Sequence, residues 1–429
     1  RRQRQMCIRD SGTVDQLLLA ALAQKHVMLR HLGLAGKVVI IDECHAYDTY
    51  MNCYLDRALE WLGWYKVPVI LLSATLPARR RTELVEAYQQ KKAAPDAPWE
   101  TSCGYPLLTW TDGAEVKQTA ISSDAPGQTV QLTTLTEPEL PALLRRKLAE
   151  GGCAGVIVNT VKKAQKIAQL LRESLPDKEV QLFHAQFLMP DRAARENQLM
   201  ARIGKESTPK ERNDLIVVGT QVMEQSLDID LDVLVTELCP MDLLLQRIGR
   251  LHRHTRIRPQ GLEVPRCLVM GALGELDAGS QAVYGDYLLL RTRRLLPECI
   301  RLPEDISPLV QRTYDAMRFP PESDEETGAA YEAYQYAQKR QKRKAEVYLL
   351  AQCDDYDSLV GMMDDIDQFT DLQAQAAVRD GTAAVEVLVV QRSEDGMLLL
   401  SGEQKGMCLR ADTQRASSAL GWVCLLYTS

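Results

Sequence analysis

Short runs of β-branched and aliphatic residues alternate with segments of helical period between residues 12 and 300. Residues 37–41 (K-V-V-I-I) and 67–72 (V-P-V-I-L-L) read as buried strands, and Met51, Leu55, Leu59 and Leu62 recur between them at helical spacing. That is strand, helix, strand. The cadence returns with strands over 155–159, 180–183, 215–219 and 233–237, and with helices over 161–173, from Asp191 and from Met241. Such alternation predicts parallel sheets covered by helices, in two α/β domains.

Between the two runs, 93–128 carries Pro95, Pro98, Gly104, Pro106, Gly113, Pro126 and Gly127 with little periodicity, which marks an inter-domain connection. The first domain then covers 12–92 and the second 129–300. Within a linker region over 301–352, the stretch 320–326 (P-P-E-S-D-E-E) reads as solvated. It precedes a helix from about Ala329 to Leu350 that holds the basic run 339–344. Alternation over 385–391 and 397–400 flanks Glu394-Asp395-Gly396 and predicts a hairpin within a small accessory domain, 353–422.

Composition adds bounds. The chain has 429 residues, 45 % hydrophobic and 25 % charged, ordinary values for a soluble globular chain. The longest apolar runs fall far short of the ~18–20 residues of a membrane span, so no membrane association is expected. The 11 cysteines show no C-x-x-C pair and no metal-ligand spacing to the 6 histidines, the usage of a reducing, cytoplasmic compartment. Net charge is −7, but basic islands stand at 79–81, 339–344 and Arg247 to Arg258, the pattern expected where polyanions are gripped at defined sites.

Four motifs carry candidate chemistry. Asp42-Glu43-Cys44-His45 follows a strand directly, where one carboxylate can hold Mg²⁺ and the next polarise water; solvated loop carboxylates are the plainer reading. Ser73-Ala74-Thr75 follows the next strand, and on its own reads equally as a cap ahead of a helix starting near Pro77. Gly219-Thr220-Gln221 opens a stretch ending in Ser226-Leu227-Asp228, whose hydroxyls and amides suit a phosphate backbone and whose Asp228 suits a sugar hydroxyl. Gln246-Arg247-Ile248-Gly249-Arg250-Leu251-His252-Arg253 spaces Arg250 and Arg253 at i and i+3, predicting two guanidinium forks on one helical face that meet a triphosphate.

In this order and at these separations the motifs resemble those of superfamily 2 helicases: D-E-x-H, S-A-T, G-T-Q-x-x-x-x-S-x-D and Q-R-x-G-R-x-x-R. The resemblance implies two RecA-like domains with ATP in the cleft between them. It implies that Asp42 holds the Mg²⁺ of Mg-ATP, Glu43 orients the attacking water, and His45 contacts Gln246. Arg250 and Arg253 become arginine fingers, Ser73 and Thr75 couple hydrolysis to closure, and Thr160 and Thr220 touch the strand's phosphates. Residues 12–16 (G-T-V-D-Q, with Thr13 a further nucleic-acid contact), 36–48 and 183–187 (F-H-A-Q-F) narrow the likeness to the CRISPR-associated helicase-nuclease family of type I interference systems. That family implies 3′-to-5′ translocation on single-stranded DNA and recruitment by an RNA-guided CRISPR surveillance complex. The alternatives are another superfamily 2 DNA or RNA helicase, or an ATP-independent module gripping single strands.

The chain departs from the family's pattern in two respects. No G-x-x-x-x-G-K-[ST] loop precedes Asp42, and no His-Asp dipeptide of the family's nuclease centre occurs. The chain is therefore expected to be a fragment truncated at both ends, its first RecA-like domain and its accessory domain incomplete, and poorly active alone. Residues 6–11 (M-C-I-R-D-S) and 424–429 (C-L-L-Y-T-S) resemble translated adapter sequence and are left out of the predicted fold.

Overall fold

A computed structural model describes residues 10–353 apart from 25–26, 45–47, 95–96, 123–126, 188, 225–226 and 322–323. It also describes 378–380 and the backbone of four later strands. The chain divides into two compact units, Arg1–Thr129 with Pro240–Asp242 and Tyr284–Gly381, and Val130–Cys239 with Leu243–Val283 and Thr382–Ser429.

In the first unit the strands Val39–Ile41 and Val69–Leu71 pair in parallel, Ile41 opposite Leu71. The helix Thr49–Trp64 joins them, and Asp48 caps it by accepting from the Met51 amide at 2.8 Å. Its stripe Tyr50, Tyr54, Leu55, Ala58, Leu59 and Leu62 is buried, each large side chain contributing about 2 kcal/mol on leaving water. Leu18, Leu22, Ile41, Leu84 and Ala345 complete that core. The helix Ala78–Gln89 follows, its first amide bonded to Gln311 Oε1 at 2.8 Å. Pro77 stands at the cap position and offers no side-chain bond, so neither Ser73 nor Thr75 is the cap.

Two regions of the first unit differ from the sequence reading. Within 93–128, the strands Leu107–Thr111 and Val116–Ala120 pair as an antiparallel hairpin. Gly113 turns it at φ 94°, with Asp112 accepting the Ala114 amide at 3.0 Å. The linker helix runs Glu325–Glu346, starting earlier than periodicity indicates because Asp324 caps it from inside the acidic stretch, accepting the Thr327 amide at 3.0 Å. It packs on the first unit's core, where Tyr54 Oη donates to Ala345 O at 3.2 Å.

The second unit holds a parallel sheet in the order Gln128–Leu135, Arg266–Met270, Val233–Glu237, Cys153–Ile157, Leu215–Gly219, Glu179–Phe183. The three central strands are buried at every position, as their unbroken apolar runs require. Helices Leu140–Lys147, Val161–Ser174, Met189–Ile203 and Met241–Ile248 lie between these strands in the chain. The expected parallel α/β architecture is present. Strands Gln128–Leu135 and Arg266–Met270 have no counterpart in the sequence reading, the first because threonine and glutamine dilute its apolar positions. In the C-terminal region the strands Val387–Ser393 and Gly396–Leu399 form the predicted hairpin. Val423–Tyr427 pairs in parallel with Val387–Ser393, so a tail left out of the predicted fold contributes a strand.

Candidate functional site

The sheet pairing of the first unit sets two motifs side by side. Leu72 N donates to Ile41 O at 2.8 Å and Cys44 N to Leu72 O at 3.2 Å, so Asp42-Glu43 and Ser73-Ala74-Thr75 leave the carboxyl ends of adjacent parallel strands. Asp42 and Glu43 are exposed there. Asp42 Oδ1 accepts the Glu43 amide at 2.9 Å, and Glu43 sits at φ 54°, a left-handed conformation that L residues adopt only when neighbours enforce it. The next residue, Cys44, belongs to the buried core, and burial pushes its thiol pKa up to about 11. Thr75 is buried, and its Oγ1 has no hydrogen-bond partner among the described residues. His45 lies outside the described residues. Thr13 is exposed at the start of the helix Val14–Leu18, without a side-chain cap bond.

The second unit surrounds its motifs with buried charge. Arg247 is fully buried. Its Nε donates to Glu224 Oε2 at 2.6 Å, Nη1 to Thr236 Oγ1 at 2.9 Å, and Nη2 to Asn159 Oδ1 at 3.0 Å. Asn159 N donates to Glu237 Oε2 at 2.8 Å, and Glu237 also pairs with Lys163 Nζ at 2.5 Å. Burial lowers the Lys163 ammonium pKa, but the Glu237 and Asp277 carboxylates more than offset that and hold it above the usual lysine range. Thr160, which caps the helix Val161–Ser174 through the Lys163 amide at 3.3 Å, stands at one end of this network. Thr220 is fully buried with its Oγ1 unpartnered among the described residues, whereas Gln221 beside it is exposed. A Cβ at Gly219 would stand 2.7 Å from Phe183 O, which is why glycine opens this turn.

The arginine pair is not on one helical face. The helix Met241–Ile248 ends before it, and Gly249 N and Arg250 N close the last turn on Leu245 O at 2.9 Å and Arg247 O at 3.0 Å. Leu251 then forms a parallel bridge with Leu231, and His252 takes φ 51°. Pulled off the helix axis, Arg250 Nη2 donates to Glu224 O at 2.6 Å while Arg253 Nε reaches Asp228 Oδ1 at 2.6 Å. Gln246 is half-buried on the helix. The downstream arginines turn inward: Arg256 Nε lies 2.5 Å from Asp230 Oδ2, and Arg258 bridges Asp230 at 2.9 Å and Asp232 at 2.5 Å. Arg212 adds a third guanidinium at 3.0 Å from Asp232.

The arginines of Arg247 to Arg258 thus meet carboxylates or carbonyls of their own unit, which fixes where each guanidinium stands. The partners Asn159, Glu224, Asp230 and Asp232 are absent from the motif-based candidate set. One signal of them is the alternation L-D-I-D-L-D over 227–232, which places three aspartates on one side of an extended segment.

The fold is thus α/β, with two motifs leaving adjacent parallel strand ends in the first unit and an arginine motif closing a helix in the second. Residues 150–256 match the family described as CRISPR-associated nuclease/helicase Cas3, C-terminal. The chain is 42 % identical over 406 residues to a CRISPR-associated nuclease/helicase Cas3 of Streptococcus thermophilus, covering 90 % of this chain and 43 % of the relative. The crystal structure of T. fusca Cas3 is similar with a TM-score of 0.81 at 30 % identity, over 90 % of this chain and 46 % of that one. Its AMPPNP form gives a TM-score of 0.79 at 31 % identity, covering 90 % of this chain and 46 % of that one. A chain of a CRISPR RNA-guided surveillance complex, pre-nicking, gives 0.75 at 29 % identity, covering 90 % of this chain and 48 % of that one. The chain spans about half the length of the curated relatives it matches. Over most of its own length the chain resembles the Cas3 nuclease/helicase family, and its parallel-sheet units match the RecA-like helicase domains of solved Cas3 chains.

Proposed function

We propose that the chain is the helicase part of an ATP-driven single-stranded DNA translocase of type I CRISPR interference, moving 3′ to 5′ and acting with an RNA-guided surveillance complex. The observation that carries the reading is the adjacency of Asp42-Glu43 and Ser73-Ala74-Thr75 at neighbouring strand ends, fixed by the Cys44–Leu72 and Leu72–Ile41 backbone bonds. Similar Cas3 chains solved with AMPPNP and ATP support the nucleotide.

Asp42 and Glu43 are exposed hard-oxygen donors, the set magnesium takes when phosphates complete its shell. Among the described residues no cluster of three or more His, Cys, Asp or Glu forms an all-protein cage, and a phosphate-borne magnesium needs none. Asp42 would hold the Mg²⁺ of Mg-ATP, and that ion would supply positive charge beside the phosphates. Glu43 accepts a proton from the attacking water as it orients it, and His45 and Gln246 assist on the nucleotide side. Arg250 and Arg253 stabilise the phosphoryl transition state, and Asp228, paired with Arg253, orients that guanidinium. Ser73 and Thr75 transmit hydrolysis, and Thr13, Thr160 and Thr220 border the path of the DNA strand. The chain carries no phosphate loop and hydrolyses ATP poorly by itself, because the lysine contact to the β- and γ-phosphates is missing from it.

The test is Glu43→Gln in the polypeptide extended upstream through a phosphate loop. The variant is expected to bind ATP as the parent does and to stop turning it over. Normal turnover by the variant removes Glu43 from the mechanism and the reading with it.

A further inference from the structure

The sequence holds three basic islands, and the structure engages the arginines of two of them internally. In 79–81, Arg79 pairs with Glu83, Arg80 with Asp56 at 2.7 Å, and Arg81 donates to the carbonyls of Trp99 and Ser102. Those of Arg247 to Arg258 are engaged as described above. The third island, 339–344, lies on the helix Glu325–Glu346 and behaves differently. Lys344 binds Asp380 at 3.0 Å, and Lys342 acts on Cys53 and Asp56 of the neighbouring helix. Lys339, Arg340 and Arg343 are exposed, and none has an ion pair or hydrogen bond among the described residues. Helix-end electrostatics account for Arg343 and Lys344 in the last turn, but not for Lys339 and Arg340 upstream of it.

Two large side chains flank these cations at helical spacing. Tyr336, at 69 % exposure, precedes Arg340 by four residues, and Val347, at 65 %, follows Arg343 by four. Positions 336, 340, 343 and 347 therefore share one face. An aromatic ring beside unpaired cations offers what a single strand needs: charge for the phosphates and a platform for an unstacked base.

We propose that this face, carried by Tyr336, Lys339, Arg340 and Arg343, is a second contact surface for single-stranded DNA, gripping the phosphate backbone and stacking one base on Tyr336. The choice of DNA rests on the function proposed above; the grip on a single strand rests on the helix face alone.

The experiment is binding of a labelled oligothymidylate to the full chain, followed by fluorescence anisotropy across a salt series. Replacing Lys339, Arg340 and Arg343 together by alanine is expected to weaken binding about tenfold or more at low salt. It should also flatten log affinity against log salt by about 2, at about 0.7 per phosphate contact. The charge-conserving set Lys339→Arg, Arg340→Lys and Arg343→Lys should keep the slope. Tyr336→Ala should weaken binding about fivefold or more without changing the slope. An unchanged slope in the alanine variant overturns the surface, as does absence of binding by the intact chain at low salt. Equal competition by duplex DNA or by a polyaspartate of matched charge overturns the assignment to a single strand. None of these results touches the ATP reading, which rests on the Glu43→Gln assay.

Discussion

The two halves of the motif set are held in opposite ways. Asp42 and Glu43 stand exposed at the end of a two-stranded parallel sheet, fixed by backbone bonds and by the hydrophobic helix beneath. Arg250 and Arg253 hang instead from a turn beside side chains that are themselves buried and charged: Glu224, Arg247, Asp230 and Asp232, each no more than 2 % exposed. Exposed carboxylates need only a rigid strand end to be held in place. Guanidinium groups on a turn need a frame, and here the frame is ionic. A buried pair adds little net stability over an apolar substitute, but it fixes geometry, and breaking one partner is costly.

The largest expected effect is on chemistry. Arg250→Ala in the upstream-extended enzyme should lower ATP turnover by about 10³-fold or more while single-strand binding changes modestly. A collapse of binding with turnover per bound complex intact would break the comparison, since Arg250 would then serve DNA instead of phosphate. Next comes the frame: Glu224→Ala leaves Arg247 buried without its carboxylate and should cost about 3–5 kcal/mol, read as a lowered denaturant midpoint. Arg79→Ala, which removes a mostly exposed arginine and leaves Glu83 its second partner Arg80, should not move that midpoint measurably.

Acid sharpens the same contrast. Burial pushes the Asp232 carboxyl up, but the Arg212 charge, the Arg258 hydrogen bond and the Cys153 amide outweigh it and hold its pKa below the usual carboxylate value. A group depressed in the folded state stabilises fully above its unfolded pKa of about 3.9, and that share is lost as pH falls through the folded value. Thermal melts should therefore be flat for this group from neutrality to about pH 5 and fall below about pH 4. Asp232→Asn should flatten part of that acid limb, and an identical limb in the variant would show that the clamp does not titrate. The smallest effect is expected from Thr160→Val, which removes the cap on the Lys163 amide for about 1 kcal/mol or less and tests the helix start apart from any DNA contact.

Much of this was legible in sequence. The apolar runs at 215–219 and 233–237 coincide with the strands, the helical stripe from Met51 to Leu62 lies within Thr49–Trp64, and the four motifs sit after strands or at the end of a helix. What escaped was decided by distant partners. Gln311 caps a helix 233 residues away, and Glu224 holds Arg247 from 23 residues upstream. Periodicity alone also continues a helix through Gly249; the Leu231–Leu251 bridge ends it and separates Arg250 from Arg253. The 339–344 run and the arginine-rich segment look alike as charge patterns. Glu224 and the aspartates at 228, 230 and 232 distinguish them, and these act through the fold.

The most direct measurement is ATP hydrolysis by the upstream-extended polypeptide with no nucleic acid, with single-stranded DNA and with RNA of the same sequence, beside the chain alone. The account predicts turnover only in the extended protein, stimulated by DNA. Stimulation by RNA in preference to DNA, or hydrolysis indifferent to both, would contradict it.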